Sequence, residues 1–564
     1  MLSSRLGRWT RSLGRISPSA LIFPRRLFSS PPPPPPPAPP LPTTANLPPA
    51  QDPYRYSAGR WLLRDAQQRQ ARHVQFDFAQ LCAIAVGLSE GASRVASYEK
   101  KEGGYNRAFV LALDNGRRVV ARIPTRVAGA PRLATNSEVA TVRYLQSKIS
   151  LPVPAILAWS DDPANPVGCE YTIQEHAEGV QLDEHWSQMN THQHMLCTKA
   201  LSFKLSELAS LDFPAYGSIY FADAPIDVAS LKIPLEDGFC IGPYCSPLFW
   251  NLGAGEPELY GESSPNRGPW TKLSGYASGL IDTAYSRLPT EQVAAQDRRH
   301  FRGSVGEHRR LLKICHETMK LLIEDRRVQD ASIPTLLHAD YNKRNIFVSP
   351  DDPTTITGFI DWQLTCIEPA FIYAQNTPDF AALPDIDPSE EEEDSSPKNR
   401  DEEKLLKDLS ICHQTYDVIA TYKCPKLRPA RQLDPSLFRL FHYCFTSWRD
   451  GAPALRQELI DLAALWPKLN LPGSECPYSP TEEELAEHAR HFEDFESMQK
   501  LKMWLKVSMG TTGDGWVPND VWEAAREANR AAYDEWMETA RESEAKGGDM
   551  TVARGERLWP FDIV

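Results

Sequence analysis

The chain has 564 residues, 41% hydrophobic and 24% charged, with 14 Trp and 21 Phe, which exceeds one ordinary domain and is ample for a large buried core. Its net charge is −13, and the six arginines of the first 28 residues mask a body at −19, with 55 basic against 74 acidic side chains. Such a body argues against binding to nucleic acid or to an anionic membrane surface, and no run approaches the ~18 apolar residues that would make an integral membrane segment. Eleven cysteines are scattered without C-x-x-C pairs, and the closest two, Cys240 and Cys245, have no His or Cys cluster to complete a zinc site. They read as reduced thiols, mostly buried.

Residues 1–51 contain no Asp or Glu, while Arg5, Arg8, Arg11, Arg15, Arg25 and Arg26 are interleaved with Ser, Leu and Trp9. That composition predicts a mitochondrial transit peptide over residues 1–28, ending near Arg26-Leu27-Phe28 and read by the mitochondrial import machinery, with the matrix as destination. A secretory signal fits less well, because residues 17–23 are too short and too interrupted an apolar segment. Residues 29–51, with Pro31 to Pro37 unbroken and further prolines through Pro49, form a stiff polyproline II linker. Asp52 begins the folded part.

Residues 76–86 are apolar at helical spacing, and strand-like runs follow at 95–99, 108–113 and 118–123. Glu102-Gly103-Gly104-Tyr105-Asn106 separates the first two, and Asp114-Asn115-Gly116 predicts a type I′ hairpin turn between the next two. Glu138 opens a helical run that Leu151-Pro152-Val153-Pro154 ends. Residues 183–211 are largely helical in pattern. The following fifty or so residues, within 218–275, are rich in Gly and Pro without regular periodicity, which predicts a lid-like functional loop. Leu312, Cys315, Met319 and Leu322 make one apolar helical face.

The chemically densest stretch runs from Thr335 to Glu368. His338, Asp340 and Asn345 stand in an H-x-D-x-x-x-x-N spacing, and Asp361-Trp362 follows a second apolar run. Residues 345–348 and 356–360 read as the strands of a hairpin across Ser349-Pro350-Asp351-Asp352-Pro353. A hairpin holds its ends together, so Asn345 and Asp361 are placed to face one point suited to Mg²⁺, a hard cation that takes oxygen ligands. Asp340, just before the first strand, is placed to orient or deprotonate an attacking hydroxyl, and phosphoryl transfer asks little more of a protein. Beyond it, residues 381–404 predict an acidic disordered loop. Helical patterns at 405–424, 435–467, 481–508 and 519–545 follow, with Gly513-Asp514-Gly515-Trp516-Val517-Pro518 as a rigid turn.

These loops resemble the aminoglycoside phosphotransferase and choline kinase group, distant relatives of protein kinases. The resemblance implies an α+β, bilobal protein-kinase-like fold: a small antiparallel β N-lobe over 52–175, a mainly helical C-lobe over 176–380, and a helical C-terminal extension over 405–564. It implies ATP and Mg²⁺ as cofactors and a hydroxyl compound of unknown identity as acceptor. Asp340 would be the base, His338 an orienter of its loop, and Asn345 and Asp361 the metal ligands. Gly103 and Gly104 would lie over the nucleotide phosphates. Arg122, in Val119-Val120-Ala121-Arg122, departs from the lysine of protein kinases and would clamp phosphate or pair with Glu138. Main-chain groups around Gln174, Glu175 and His176 would meet the adenine. A pseudokinase, binding nucleotide without turnover, is the alternative that Arg122 and the sparse glycine loop suggest; no A-P-E-like segment follows Asp361 to support a protein kinase.

Overall fold

The structure, a computed structural model, describes residues 52–228, 231–250, 265–294, 300–383, 400–473 and 475–563. The expected transit peptide, the proline-rich linker and residues 384–399 of the expected acidic loop lie outside the described residues. Strand β1 (Gly59–Trp61) precedes helix α1 (Phe78–Gly87), whose N-cap Asp77 accepts from the Gln80 amide. Strands β2 (Val95–Glu102), β3 (Asn106–Leu113) and β4 (Arg118–Pro124) lead to helix α2 (Leu133–Lys148), then β5 (Ile156–Ser160) and β6 (Tyr171–Glu175). They form one antiparallel sheet in the order β2-β3-β4-β6-β5.

The two-residue period of a strand gives this sheet two different faces. Phe109 and Leu111 of β3, Val119, Ala121 and Ile123 of β4, and Ile173 of β6 are buried against Leu81 and Ala85 of α1 in one apolar core. Their neighbours Ala108, Val110, Val120, Arg122 and Gln174 face the other way, onto a cavity. The β3–β4 connection differs from the expected type I′ turn. Gly116 donates to the Leu113 carbonyl at 3.0 Å, and of the loop residues Gly116 alone has positive φ (+84°). This is a type I turn followed by a left-handed glycine, which leaves Asn115 in ordinary backbone space.

The second lobe begins at β7 (Val180–Gln181), with helix α3 (Thr191–Ala209) started by an Asn190–Gln193 capping box. Gly179, at φ +88°, lets β7 approach the hairpin of residues 346–359; a Cβ there would stand 2.1 Å from the Val348 carbonyl oxygen. The segment expected as a lid contains a three-stranded sheet of β8 (Ser218–Phe221), β9 (Ile233–Pro234) and β10 (Phe239–Gly242), in the order β8-β10-β9. Ile219, Tyr220 and Ile241 are fully buried in the main core. Strands of two to four residues are too short to display alternation, which is why the sequence reads as irregular. Helices α4 (Leu273–Ser286) and α5 (Val305–Glu324) follow, and the expected face Leu312, Cys315, Met319 and Leu322 is buried throughout.

Strands β11 (Pro334–Leu336), β12 (Ile346–Val348), β13 (Ile356–Phe359) and β14 (Ile367–Pro369) frame the stretch that carries His338, Asp340, Asn345 and Asp361 as two antiparallel pairs, β11 with β14 and β12 with β13. Beyond them lie α6 (Arg400–Val418), α7 (Ala452–Leu469), α8 (Glu482–Met509), β15 (Trp516–Pro518), α9 (Trp522–Ala545) and α10 (Val552–Leu558). The run expected as one helix over 435–467 is broken at Gly451, whose φ is +99°, and α7 starts anew behind it. The rigid turn expected at 513–518 is in part a strand: β15 pairs antiparallel with β1, Gly59 against Pro518 and Trp61 against Trp516. Leu62, Leu501, Leu505, Val517, Trp522, Trp559 and Phe561 close an apolar cluster behind that pair. The C-terminal extension thus arches back to the N-terminal segment. That segment is itself pinned to the sheet, because Lys100 donates to the Asp52 and Arg55 carbonyls and Glu102 accepts from the Ser57 and Ala58 amides.

Candidate active site

Pairing of Ile346 with Phe359, and of the Ile360 amide with the Asn345 carbonyl at 2.9 Å, puts Asn345 and Asp361 at the same end of the β12–β13 hairpin. His338 binds the two loops to each other. Its Nε2 donates to the Ile360 carbonyl (2.9 Å) and its Nδ1 accepts from the Asp340 amide (3.0 Å), while its ring meets Trp362 edge-on at 4.5 Å. Those partners fix a neutral imidazole in one tautomer.

Asp340 is surrounded by donors. Its Oδ2 accepts from Arg344 Nε (3.1 Å) and Nη2 (2.5 Å) and from Asn345 Nδ2 (2.8 Å), and its Oδ1 accepts from the Asn342 amide. Burial pushes its carboxyl up, but the Arg344 charge and hydrogen bonds outweigh burial and hold it below the usual range. With Asn345 Nδ2 on Asp340, the amide is oriented with its nitrogen toward the carboxylate. Asp361 is 39% exposed at the side chain and adopts a left-handed backbone, φ +65°, a conformation that non-glycine residues adopt at a cost.

Arg122 reaches into this site from β4. It donates from Nη1 to Glu138 of α2 and from Nη2 to Asp361, bridging the two lobes. Burial works against its charge, and the carboxylates, Glu138 before Asp361, outweigh burial and raise its pKa. A second interlobe bond runs from Asn106 Nδ2 to Gln363 Oε1 at 2.8 Å.

One cavity of about 2740 Å³ is lined by Gly103, Gly104, Arg122, Gln174, His176, His338, Asp340, Asn345 and Asp361, so most of the expected site residues meet. Glu138 touches the site only through Arg122. Glu175 does not reach it: its amide donates to the Ala155 carbonyl at 3.0 Å and its carboxylate accepts from the Ala155 amide at 3.2 Å. The Gly103 amide donates to the Asn106 carbonyl (3.0 Å), which closes the turn on itself and leaves Gly104 at the cavity wall. His176 Nδ1 contacts the Ala177 carbonyl at 2.8 Å, and burial first, then Arg118, pulls its pKa down.

Sequence reasoning missed three features. Arg344 lay inside the H-x-D-x-x-x-x-N spacing as an unread position, although an arginine four residues after an aspartate is in reach of it. Asn106 and Gln363 gave no signal, being 257 residues apart. Ala108, Val120, Phe347 and Ile360 line an apolar part of the cavity between the lobes, and only the alternation along β3 and β4 pointed there.

Oxygen donors suited to a divalent ion are present in Asp361 and the Asn345 amide. Among the described residues no group of three or more His, Cys, Asp or Glu side chains could hold a metal. A carboxylate and an amide oxygen fit Mg²⁺, which draws its other ligands from phosphate and water, better than they fit a zinc-type cluster.

The sheet order, the two lobes and this site define a kinase-like phosphotransferase fold. Residues 101–372 match the model described as "Phosphotransferase enzyme family". It is 28% identical over 518 residues to a subtelomeric hrmA-associated cluster protein of Aspergillus fumigatus, covering 82% of this chain and 95% of that one. It is 23% identical over 614 residues to altered inheritance of mitochondria protein 9, mitochondrial, of Clavispora lusitaniae, covering 95% of this chain and 97% of that one. Among solved structures, a protein described as an aminoglycoside phosphotransferase from Ralstonia eutropha aligns at 15% identity with a TM-score of 0.35, over 74% of this chain and 95% of that one. The fold assignment rests on the sheet order and the family match. Among the described residues no helix is long and apolar enough to cross a membrane.

Proposed function

We propose that the chain is a mitochondrial, ATP- and Mg²⁺-dependent phosphotransferase acting on the hydroxyl of a small molecule. The observation that carries this reading is the convergence on one cavity of Asp340, Asn345 and Asp361 with Arg122, itself paired to Glu138. When bound, Mg²⁺–ATP supplies the γ-phosphoryl group and the positive charge that offsets its oxygens. Asn345 and Asp361 would hold the metal, and Arg122 would turn from Asp361 toward phosphate. Ala108, Val120, Phe347 and Ile360 give a flat base two apolar walls. Asp340, kept anionic by Arg344, accepts the hydrogen bond of the acceptor hydroxyl and fixes the direction of its lone pair. A pKa held below the ordinary carboxylate range makes it a weak base, so that orientation is the larger part of its work. The acid-free, arginine-rich N-terminus and the mitochondrial names of relatives from Clavispora lusitaniae and Yarrowia lipolytica support the location.

The test is thermal shift of the full chain with Mg²⁺–ATP, beside Asp361→Ala, followed by ADP release over an acceptor panel. Stabilisation in the parent that the variant loses, with acceptor-dependent ADP release, is expected. No response of either protein to millimolar nucleotide would sink the reading. A second reading, nucleotide binding without turnover, is favoured by one observation: Arg122 already neutralises the metal-site carboxylate. It predicts nucleotide stabilisation with no ADP release for any acceptor. For the location, a fluorescent fusion lacking residues 1–28 is expected to stay outside mitochondria; normal import of that fusion would defeat the presequence.

A further inference from the structure

Glu102 and Arg107 are the last cross-strand pair of β2 and β3 before the Gly103-Gly104-Tyr105 turn, and Lys100 stands two residues earlier on the same face. The intervening pair, Lys101 and Ala108, points the other way and lines the cavity. All three charged side chains of the first face are 2% exposed. Glu102 Oε1 accepts from Arg107 Nε at 3.0 Å and lies 3.4 Å from Lys100 Nζ, so one carboxylate offsets two cations. This buried triad sits at the base of the turn.

What replaces water around the triad is the strap of residues 52–58. Lys100 Nζ donates to the Asp52 carbonyl (2.8 Å), the Arg55 carbonyl (2.7 Å) and the Ser57 hydroxyl (2.9 Å), which uses every hydrogen of the ammonium group. Arg107 Nη1 donates to the Pro53 and Tyr54 carbonyls, each at 2.8 Å. Glu102 Oε2 accepts from the Ser57 and Ala58 amides at 2.7 and 2.9 Å. Tyr56 is the one residue of the strap that gives the triad nothing printed in this set of bonds; it lines the cavity, and its hydroxyl accepts at 3.0 Å from Trp516 Nε1 in the arch of α8, β15 and the C-terminal residues. Charges stay buried only where hydrogen bonds stand in for water. Without the strap, Lys100 and Arg107 would turn outward to solvent, and the end of the hairpin that carries them would move with them.

Resting on the phosphotransferase reading, we propose that residues 52–58 are a working part of the nucleotide site: through Lys100, Glu102 and Arg107, which act as positioning residues, the strap holds the Gly103-Gly104 turn where its main chain meets the nucleotide phosphates. A glycine turn fixed before the nucleotide arrives has less freedom to lose on binding. The strap therefore acts on phosphate binding. By linkage, phosphates bound at the turn stabilise the strap in return.

Two measurements on the full chain test this. In the parent, Mg²⁺–ATP is expected to slow hydrogen exchange of the Ser57 and Ala58 amides tenfold or more, compared with adenosine, which lacks phosphates, at matched thermal stabilisation. A strap with a merely structural role would exchange alike with both. The second measurement is calorimetry on the triple variant Lys100→Met, Glu102→Leu, Arg107→Met, because apolar side chains in place of a buried ion group often leave stability unchanged or raised. It should bind Mg²⁺–ATP at least tenfold more weakly than the parent and adenosine equally well, at an unchanged urea midpoint. Parent-like ATP affinity in the folded variant, an equal loss of ATP and adenosine, or exchange at Ser57 and Ala58 that ATP slows no more than adenosine does overturns the proposal while the phosphotransferase reading stands. If the variant does not fold, the exchange measurement decides alone. A parent that does not bind ATP overturns that reading, and the role of the strap with it.

Discussion

The wall formed by residues 337–366 is cross-tied within itself, with His338 bonding both loops and Asp340 gathering Arg344, Asn342 and Asn345. The facing wall, α8 and β15, is held from behind by the β1–β15 pair and an apolar cluster, and it shows half-buried lysines and exposed apolar side chains to the cavity. One wall has its side chains tied to one another before any ligand arrives; the other presents side chains that no such network ties.

The largest effects should come from the fixed wall. Asp340→Asn is expected to lower kcat by about 10²–10⁴-fold, with the thermal response to nucleotide retained; a loss under tenfold would remove Asp340 from the chemistry. Arg122→Ala leaves the buried Glu138 carboxylate without its counter-charge, at a cost of about 3–5 kcal/mol, read as a lower urea midpoint, and should remove the nucleotide response as well. Arg344→Ala separates charge from shape. With its pKa depressed in the folded protein, Asp340 contributes above the ordinary carboxylate range and loses its contribution as pH falls through the depressed value. The acid limb of the parent rate profile should therefore lie below the ordinary carboxylate range. Removing Arg344 leaves burial, which pushes the carboxyl up, so the limb should move to higher pH; an unmoved limb would show that Arg344 does not set the charge state.

The two walls were unequally legible in the sequence for a physical reason. His338, Asp340 and Asn345 lie within eight residues, so their spacing alone announces a loop, and β12 and β13 are joined by turn chemistry that names the hairpin. Arg122 was recognised from its strand and its pairing with Glu138 anticipated, but its bond to Asp361 spans 239 positions and leaves no local mark. Arg344 stands between the fixed positions of the H-x-D-x-x-x-x-N spacing, where the pattern specifies no residue type. Trp516-Val517-Pro518 reads as a turn, since a three-residue strand is defined by its partner, and that partner, Gly59 to Trp61, pairs with it across 455 to 459 positions. The short strands of the 218–275 segment were lost in the same way. Local spacing reports chemistry, whereas closure of the arch is a property of pairing between chain ends.

A substitution at the latch should affect the facing wall alone. A Cβ on Gly59 would stand 2.4 Å from both the Trp516 ring and the Val517 carbonyl oxygen, so Gly59→Val must push β1 from β15, at about 1–3 kcal/mol of overpacking. The expected signature is a lower urea midpoint with the nucleotide response kept. Loss of the nucleotide response as well would mean that the arch also positions the lobes, and the division between the two walls would fail.

The smallest effect concerns the bond that crosses the cleft beside the Asp361 loop. Asn106 Nδ2 donates to Gln363 Oε1 within the part of the site where Arg122 also crosses, and Gln363 is buried. Asn106→Ala removes a hydrogen bond whose net value is about 0.5–1.5 kcal/mol, and leaves a buried acceptor unsatisfied at about 1–3 kcal/mol. A double-mutant cycle with Gln363→Ala separates the two terms, because the second substitution takes away the stranded acceptor. Coupling near 1 kcal/mol, together with weaker nucleotide binding in each single variant, is expected if this bond helps to hold the β2–β3 turn over the phosphates. Zero coupling would leave the Arg122 bridge alone to set the approach of the sheet to the fixed wall. The turn would then be free of the fixed wall, and the part of the site that no bond ties to that wall would extend from the arch into the sheet lobe.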